Sequence, residues 1–229
     1  MARQGTCQGK SGKVSLNQAK SDRSLPEKST TFALVGVATP FDLMPDQRRT
    51  PFNIGHAIEL TNFSISEVQP LAVGLERIAS NPIAVLQAVL DWTGGQPFLT
   101  QKVFQLIQKT SEPIPAGGEV QWVETLVQKQ AIDNWETSDE PEHLRTIHDR
   151  LCQYRSGNRL LWSSQRNRQL LFVYRQILLS GEVKANNQPE HMELQLSGLV
   201  VKQQGKLRVS NRIYASVFNQ SWVDEALTL

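Results

Sequence analysis

The stretch from Asn81 to Lys109, NPIAVLQAVLDWTGGQPFLTQKVFQLIQK, decides the fold class. Asn81 reads as a helix N-cap, and Pro82 suits the first helical position because its missing N–H would have no acceptor within the helix. Ile83, Leu86, Val89 and Leu90 follow at helical spacing and predict a buried stripe. Gly94 and Gly95 stop that helix. Pro97 restarts the chain with Leu99, Val103, Leu106 and Ile107 on one face, and the segment from Glu112 to Gly118 breaks it again. Two helices joined by so short a turn predict antiparallel neighbours in a bundle.

The pattern extends in both directions. Before it, Ser66 with Gln69 reads as a capping box, followed by Val68, Leu71, Leu75 and Ile78 at intervals of three and four. After it, Trp122, Val123, Leu126 and Val127 predict one helix, and Asp139 with Pro141 opens another through Leu144, Ile147 and Leu151. Residues 64–155 are thus expected to form a helical bundle. From 156 to 229 the rhythm changes. Leu170, Leu171, Tyr174, Ile177 and Leu178 make a helix, and Gln188 to Ser197 a shorter one ended by Gly198. Leu199 to Lys202 and Lys206 to Val209 read as strands about a turn containing Gly205, and Asn211 caps a final helix through Ile213, Val217 and Phe218. Helix, helix, hairpin and closing helix is the order of a winged helix-turn-helix. The fold class expected is mainly α with small β.

Upstream, Phe32, Ala33, Leu34, Val35 and Val37 form an apolar run too short for a helix, which reads as a strand buried on both faces. Such strands belong to parallel sheets, so residues 31–63 read as a remnant of an α/β core with one orphan strand. Its open edge predicts self-association. Residues 1–30 hold six basic residues against Asp22 and Glu27 and no apolar periodicity, which predicts a mobile basic tail of about +4. The rest of the chain is then near −2.

Composition narrows the function classes. Among 229 residues, 39% are hydrophobic and the net charge is only +2, which speaks against a chain acting mainly as a polyanion binder. No apolar run reaches the roughly 18 residues of a membrane span, and the N-terminus lacks a signal-peptide core, so a cytoplasmic location is expected. Cys7 and Cys152 make neither a disulfide framework nor a zinc pattern.

The blocks FALVGVATPFDL (Phe32 to Leu43), TPFNIGHAIEL (Thr50 to Leu60), DWTGGQPFLTQK (Asp91 to Lys102), DEPEHLRTI (Asp139 to Ile147) and LSGLVVKQQGKLRVSNRIYASVFN (Leu196 to Asn219) keep order and spacing. Together they resemble the C-terminal part of the AAA-like domain of bacterial, especially cyanobacterial, STAND-type P-loop NTPases. Those are often joined to WD-repeat, kinase or other signalling modules. The resemblance implies an ATP-dependent switch in which a nucleotide-binding core, a helical lid and a winged helix close around the nucleotide. It places Thr39 at a sensor 1 strand end, where a polar residue senses the γ-phosphate; the plainer reading is a strand-ending turn former. It also places Gly95, Gln96 and Pro97 at the GxP motif of the lid, where the proline packs on adenine and the glycine permits close approach. The alternative needs no ligand: a C-cap glycine pair followed by a first-turn proline.

A P-loop requires G-x-x-x-x-G-K-[ST] between a buried strand and a helix, so that loop amides wrap the phosphates. Gly5, Gly9, Lys10 and Ser11 fall one residue short, with Gln4 where the first glycine should stand. Between Ser11 and Thr31 there is no room for a helix, a second strand and the Walker B carboxylates. The expectation is a truncated NTPase without catalytic residues of its own, taking ATP or ADP and magnesium only if a separate P-loop half is supplied. His148 and Cys152, spaced i, i+4, could offer two metal ligands, but no second pair matches, and packing is the expected role. No metal site is expected. No G-x-S-x-G, H-E-x-x-H or dinucleotide fingerprint occurs. The five tryptophans, at 92, 122, 135, 162 and 222, mostly fall on or beside apolar stripes.

Three functions follow. The first is a non-catalytic regulatory or protein-interaction remnant of a STAND NTPase. The second is a DNA-binding winged-helix regulator, for which Lys202, Lys206, Arg208 and Arg212 supply positive charge; the preceding helix opposes it with Glu190, Glu193 and no basic residue. The third is half of a split ATPase that needs a separate P-loop subunit.

Overall fold

The first helical turn is set by a capping box two residues upstream of the one expected. Ser64, not Ser66, is the N-cap, and Glu67 reaches back to it: the Ser64 N–H donates to Glu67 Oε2 at 2.8 Å and the Ser64 hydroxyl at 2.7 Å. These bonds hold the Glu67 carboxyl below its usual range. The element they start, α1, runs over Ile65–Val68 and tightens into a 3-10 turn over Gln69–Leu75, because Pro70 lacks the N–H an α-turn would use.

The structure is a computed structural model that describes residues 58, 60–110, 112–133, 135–137, 142–152, 154–156, 159–161 and 165–228. The tail 1–30, Gly5 to Ser11, the strand Phe32 to Val37, Thr39 and Trp162 lie outside the described residues.

Four longer helices follow α1: α2 (Pro82–Thr93), α3 (Pro97–Lys109), α4 (Glu119–Val127), which widens into a π turn over Gln128–Ile132, and α5 (Glu142–Cys152). Asn81 caps α2 as expected, its side chain accepting from the Ala84 N–H at 3.1 Å. The buried face of α2 is rotated from the expected stripe. Val85, Leu86, Ala88, Val89 and Trp92 are inside, whereas Ile83 is 46% exposed and Leu90 only partly covered. The reason is that α2 is the hub: it packs against α1, α3, α4 and, from the C-terminal part, α8 (Arg212–Val217).

The second half opens with a hairpin absent from the sequence reading. Strands β1 (Tyr154–Ser156) and β2 (Arg159–Leu161) pair antiparallel, Ser156 opposite Arg159, so the boundary expected at 155/156 falls inside a paired element. Helix α6 (Gln165–Ser180), β3 (Val183–Lys184), α7 (Pro189–Leu196), β4 (Val200–Gln203) and β5 (Lys206–Val209) follow, and the antiparallel sheet has the order β3-β5-β4. Gln204 and Gly205, with φ of 50° and 76°, make the two-residue turn between β4 and β5. A further helix follows the expected final one. Phe218 leaves helical geometry, and Asn219 caps α9 (Gln220–Thr228) by accepting from the Trp222 N–H at 3.0 Å. The described chain is therefore mainly helical with a small three-stranded sheet.

Candidate functional site

Gly94 to Pro97 forms the turn between α2 and α3, and every backbone group in it has a definite task. Gly94 takes φ of 59° as the left-handed C-cap of α2, and its N–H donates to Leu90 O at 2.8 Å. The Gln96 side chain caps α3 by accepting from the Leu99 N–H at 2.6 Å. The Thr100 N–H goes to Gln96 O at 2.9 Å. Since Pro97 has no N–H, Phe98 holds the one first-turn donor that Gln96 does not take. This helix start is a poor cradle for phosphate.

Both glycines are approached by other parts of the chain. A Cβ on Gly95 would lie 2.2 Å from Phe63 O, and one on Gly94 would lie 2.8 Å from Ser210 O and 3.2 Å from Asn211 Cβ. Phe63 N–H donates to Gly95 O at 2.7 Å, and Asn62 Nδ2 donates to Gly94 O at 2.9 Å. Beneath the turn, the buried hydroxyls of Thr93 and Thr100 bond at 2.9 Å. Gly95 is thus buried, whereas Pro97 is exposed and Phe98 is 41% exposed beside it. Of the three residues singled out from the sequence, the structure brings Gly95 and Pro97 together; Thr39 is outside the described residues.

A crevice of about 20 Å³ opens next to Phe98, lined also by Lys102, Gln130, His143, Leu144 and Ile213. That volume is on the scale of one water molecule, so a nucleoside base does not fit it. At its wall His143 stacks against Phe98 with ring centroids 4.9 Å apart, and its Nε2 lies 2.5 Å from the Tyr214 hydroxyl. Burial, then the nearby Lys102 charge, pushes the His143 imidazole below its ordinary range, which favours the neutral ring at pH 7. Burial in turn raises the Tyr214 hydroxyl well above its normal range.

Two of the three basic residues of the β4–β5 hairpin, Lys206 and Arg208, are occupied. Glu182, just before β3, pairs with both Lys206 and Arg208, and the Arg208 Nε bond measures 2.8 Å. Bonds from Lys206 and then Arg208 hold the Glu182 carboxyl low. Arg212 lies over Trp92, 4.0 Å from the ring centroid. On α7, Glu193 pairs with Arg166 at 2.6 Å. Sheet pairing creates the Glu182 cluster by setting Lys184 opposite Lys206, and no local pattern announces it. The one available signal was an acid immediately after the helix-ending Gly181.

His148 and Cys152 are packed side chains. His148 sits among Trp135 and Trp222, with centroids 5.9 and 5.8 Å away, and its Nδ1 lies 3.1 Å from Asp149 Oδ1. Cys152 is 3% exposed, and burial followed by the Asp149 charge pushes its thiol up to about 12. Among the described residues, no three His, Cys, Asp or Glu side chains cluster as metal ligands. No described helix is long and apolar enough to cross a membrane.

With this geometry established, residues 28–116 match the family described as AAA-like domain, a span that contains the α2–α3 turn. The chain is also 43% identical over 201 residues to an uncharacterized WD repeat-containing protein of Synechocystis sp.. That alignment covers 86% of this chain and 16% of the relative, so the chain spans about a sixth of the relative's length. Its 201 residues exceed the family match, so the similarity continues into the C-terminal elements. No solved structure matches.

Proposed function

We propose that this chain is a regulatory and protein-interaction part of a STAND-type signalling ATPase, composed of the helical lid and winged helix of its AAA-like domain and without catalysis of its own. The observation that carries the reading is the contact between Gly94 and Asn211, which joins the turn resembling the lid motif directly to the hairpin module. A lid held against a winged helix is the arrangement through which such a switch changes its protein contacts. The order α6, β3, α7, β4 and β5 supports the winged-helix assignment, and the WD-repeat relative supports a setting among interaction modules.

The DNA-binding alternative loses support because Glu182 occupies Lys206 and Arg208, and Glu190 and Glu193 sit on α7. In the split-ATPase alternative, ATP or ADP and magnesium would be held mainly by the separate P-loop half. The α3 start would add Pro97 as a flat apolar contact, since its phosphate-facing donors are few.

One experiment separates the three. The chain is assayed alone for magnesium-dependent ATP turnover and salt-dependent duplex binding, and then titrated with a separately produced P-loop half. The expected result is no turnover, no salt-dependent binding, and an association with the added half that yields no ATPase. Turnover by the chain alone that disappears in Lys10→Ala would sink the proposal. Turnover only after mixing would establish the split enzyme.

A further inference from the structure

We propose that the Gly94–Gly95 turn is a stiff coupler that ties the segment entering α1 to the start of α8, so that a displacement at Asn62–Phe63 is felt at Asn211–Arg212. The two adjacent glycines take positive φ, 59° and 73°, and each is touched by a different segment: Gly95 by the Phe63 backbone, Gly94 by Ser210 and Asn211. The contacts leave no room for a methyl group on either side, so neither segment can shift toward the turn without moving it.

Each side also has an attractive hold. On the first, Asn62 Nδ2 and Phe63 N–H grip the carbonyls of Gly94 and Gly95 at 2.9 and 2.7 Å. On the second, the Arg212 guanidinium lies over Trp92, a residue only 5% exposed two positions before Gly94, and approaches Glu124 at 3.9 Å. The turn itself is braced from below: Gly95 N–H donates to Thr93 Oγ1 at 3.3 Å, and Thr93 and Thr100 are fully buried. Asn211 caps α8 through Oδ1 while its buried Nδ2 finds no hydrogen-bond partner. The inference rests on these contacts alone and holds whichever reading of the function is correct.

Asn62 and Arg212 share no hydrogen bond or ion pair, so independent sites would give multiplicative effects. The test uses the full chain with Asn62→Ala, Arg212→Ala and the double variant, measuring the unfolding constant in urea and hydrogen exchange at the Phe63 and Tyr214 amides. Arg212→Ala is expected to speed Phe63 exchange at least about threefold, and the double variant to be less damaging than the product of the singles by about threefold or more. Should Arg212→Ala fail to fold, Arg212→Lys, which keeps the charge and loses the planar stack, is read in the same way. An unchanged Phe63 amide, or effects that simply multiply, overturns the coupler.

Discussion

The Tyr214 hydroxyl on α8 and Nε2 of His143 on α5 share a hydrogen bond of 2.5 Å, joining two helices whose bonded residues are 71 positions apart. Burial, then the Lys102 charge, disfavours the charged ring, so the bond joins a neutral imidazole to the hydroxyl. The charged and titratable groups facing it are Lys102 from α3 and Tyr214 from α8.

Stability is therefore expected to fall on mild acidification. The folded-state pKa of His143 lies below the ordinary histidine value of 6.5, so the unfolded chain binds the proton more readily. The His143 contribution is full above that value and is lost as pH drops through the lowered folded pKa. His191, which accepts from the Asn186 N–H through Nδ1 at 3.2 Å, is shifted down by burial and adds to the same slope. Melting temperatures between pH 7.5 and 5 should decline in the parent chain and more gently in His143→Gln. An equal slope in both would dismiss His143 as a source.

Two buried tyrosines should respond oppositely to loss of the hydroxyl. Tyr174 on α6 is fully buried and its hydroxyl has no hydrogen-bond partner, so Tyr174→Phe should be neutral or stabilising by up to about 1 kcal/mol. Tyr214→Phe leaves the His143 ring nitrogen without its partner and should cost about 1–2 kcal/mol. Urea unfolding of the two variants measures both, and a destabilised Tyr174→Phe would show that its hydroxyl does find a partner.

Gly95 and Gly205 have nearly the same left-handed backbone, φ of 73° and 76°, with different surroundings. At Gly205 an added Cβ meets nothing within 4 Å, so Gly205→Ala should cost about 1 kcal/mol of backbone strain. At Gly95 the same Cβ meets Phe63 O at 2.2 Å, and Gly95→Ala should cost at least about 2 kcal/mol more. Equal losses in denaturant titrations would mean that residues 62–63 are not held against the turn.

Glu182 should govern how the hairpin meets polyanions. Glu182→Gln removes the charge that neutralises Lys206 and Arg208 and is expected to create weak duplex binding that declines steeply with salt. The parent chain should show no salt-dependent binding in the same fluorescence-anisotropy titration. Strong, salt-dependent binding by the parent, unchanged in the variant, would return the DNA-binding reading to first place.

Local signals carried most of the element boundaries. Asn81 with Pro82, the Gly94 stop, the Pro97 restart and the Asn211 cap are all where the residues put them, since a cap needs only one side chain and the amides three residues on. Where two overlapping cap patterns competed, the better pair won. Glu67 can reach back to Ser64 with its carboxylate, and the neutral Gln69 is taken into the 3-10 turn instead. Asn219 was an equally local cap just past the expected helix through Phe218, and it starts α9.

By itself, then, the sequence determined the helix-rich class, the turn at Gly94 to Pro97 and the β4–β5 hairpin, because these depend on backbone preferences and apolar spacing within a few residues. Tertiary structure decided everything that depends on which surfaces meet. Ile83 is exposed because the hub position of α2 sets its rotation, a choice its own periodicity leaves open. β1, β2 and β3 are two or three residues long, too short for an alternation to register, and exist only through their partners. The same holds for the pairs that shape the site: His143 with Tyr214, Arg212 with Trp92, and Glu182 with Lys206 and Arg208. Each joins residues at least 24 positions apart, and at that separation chain folding, with no help from local preference, brings opposite charges and rings together.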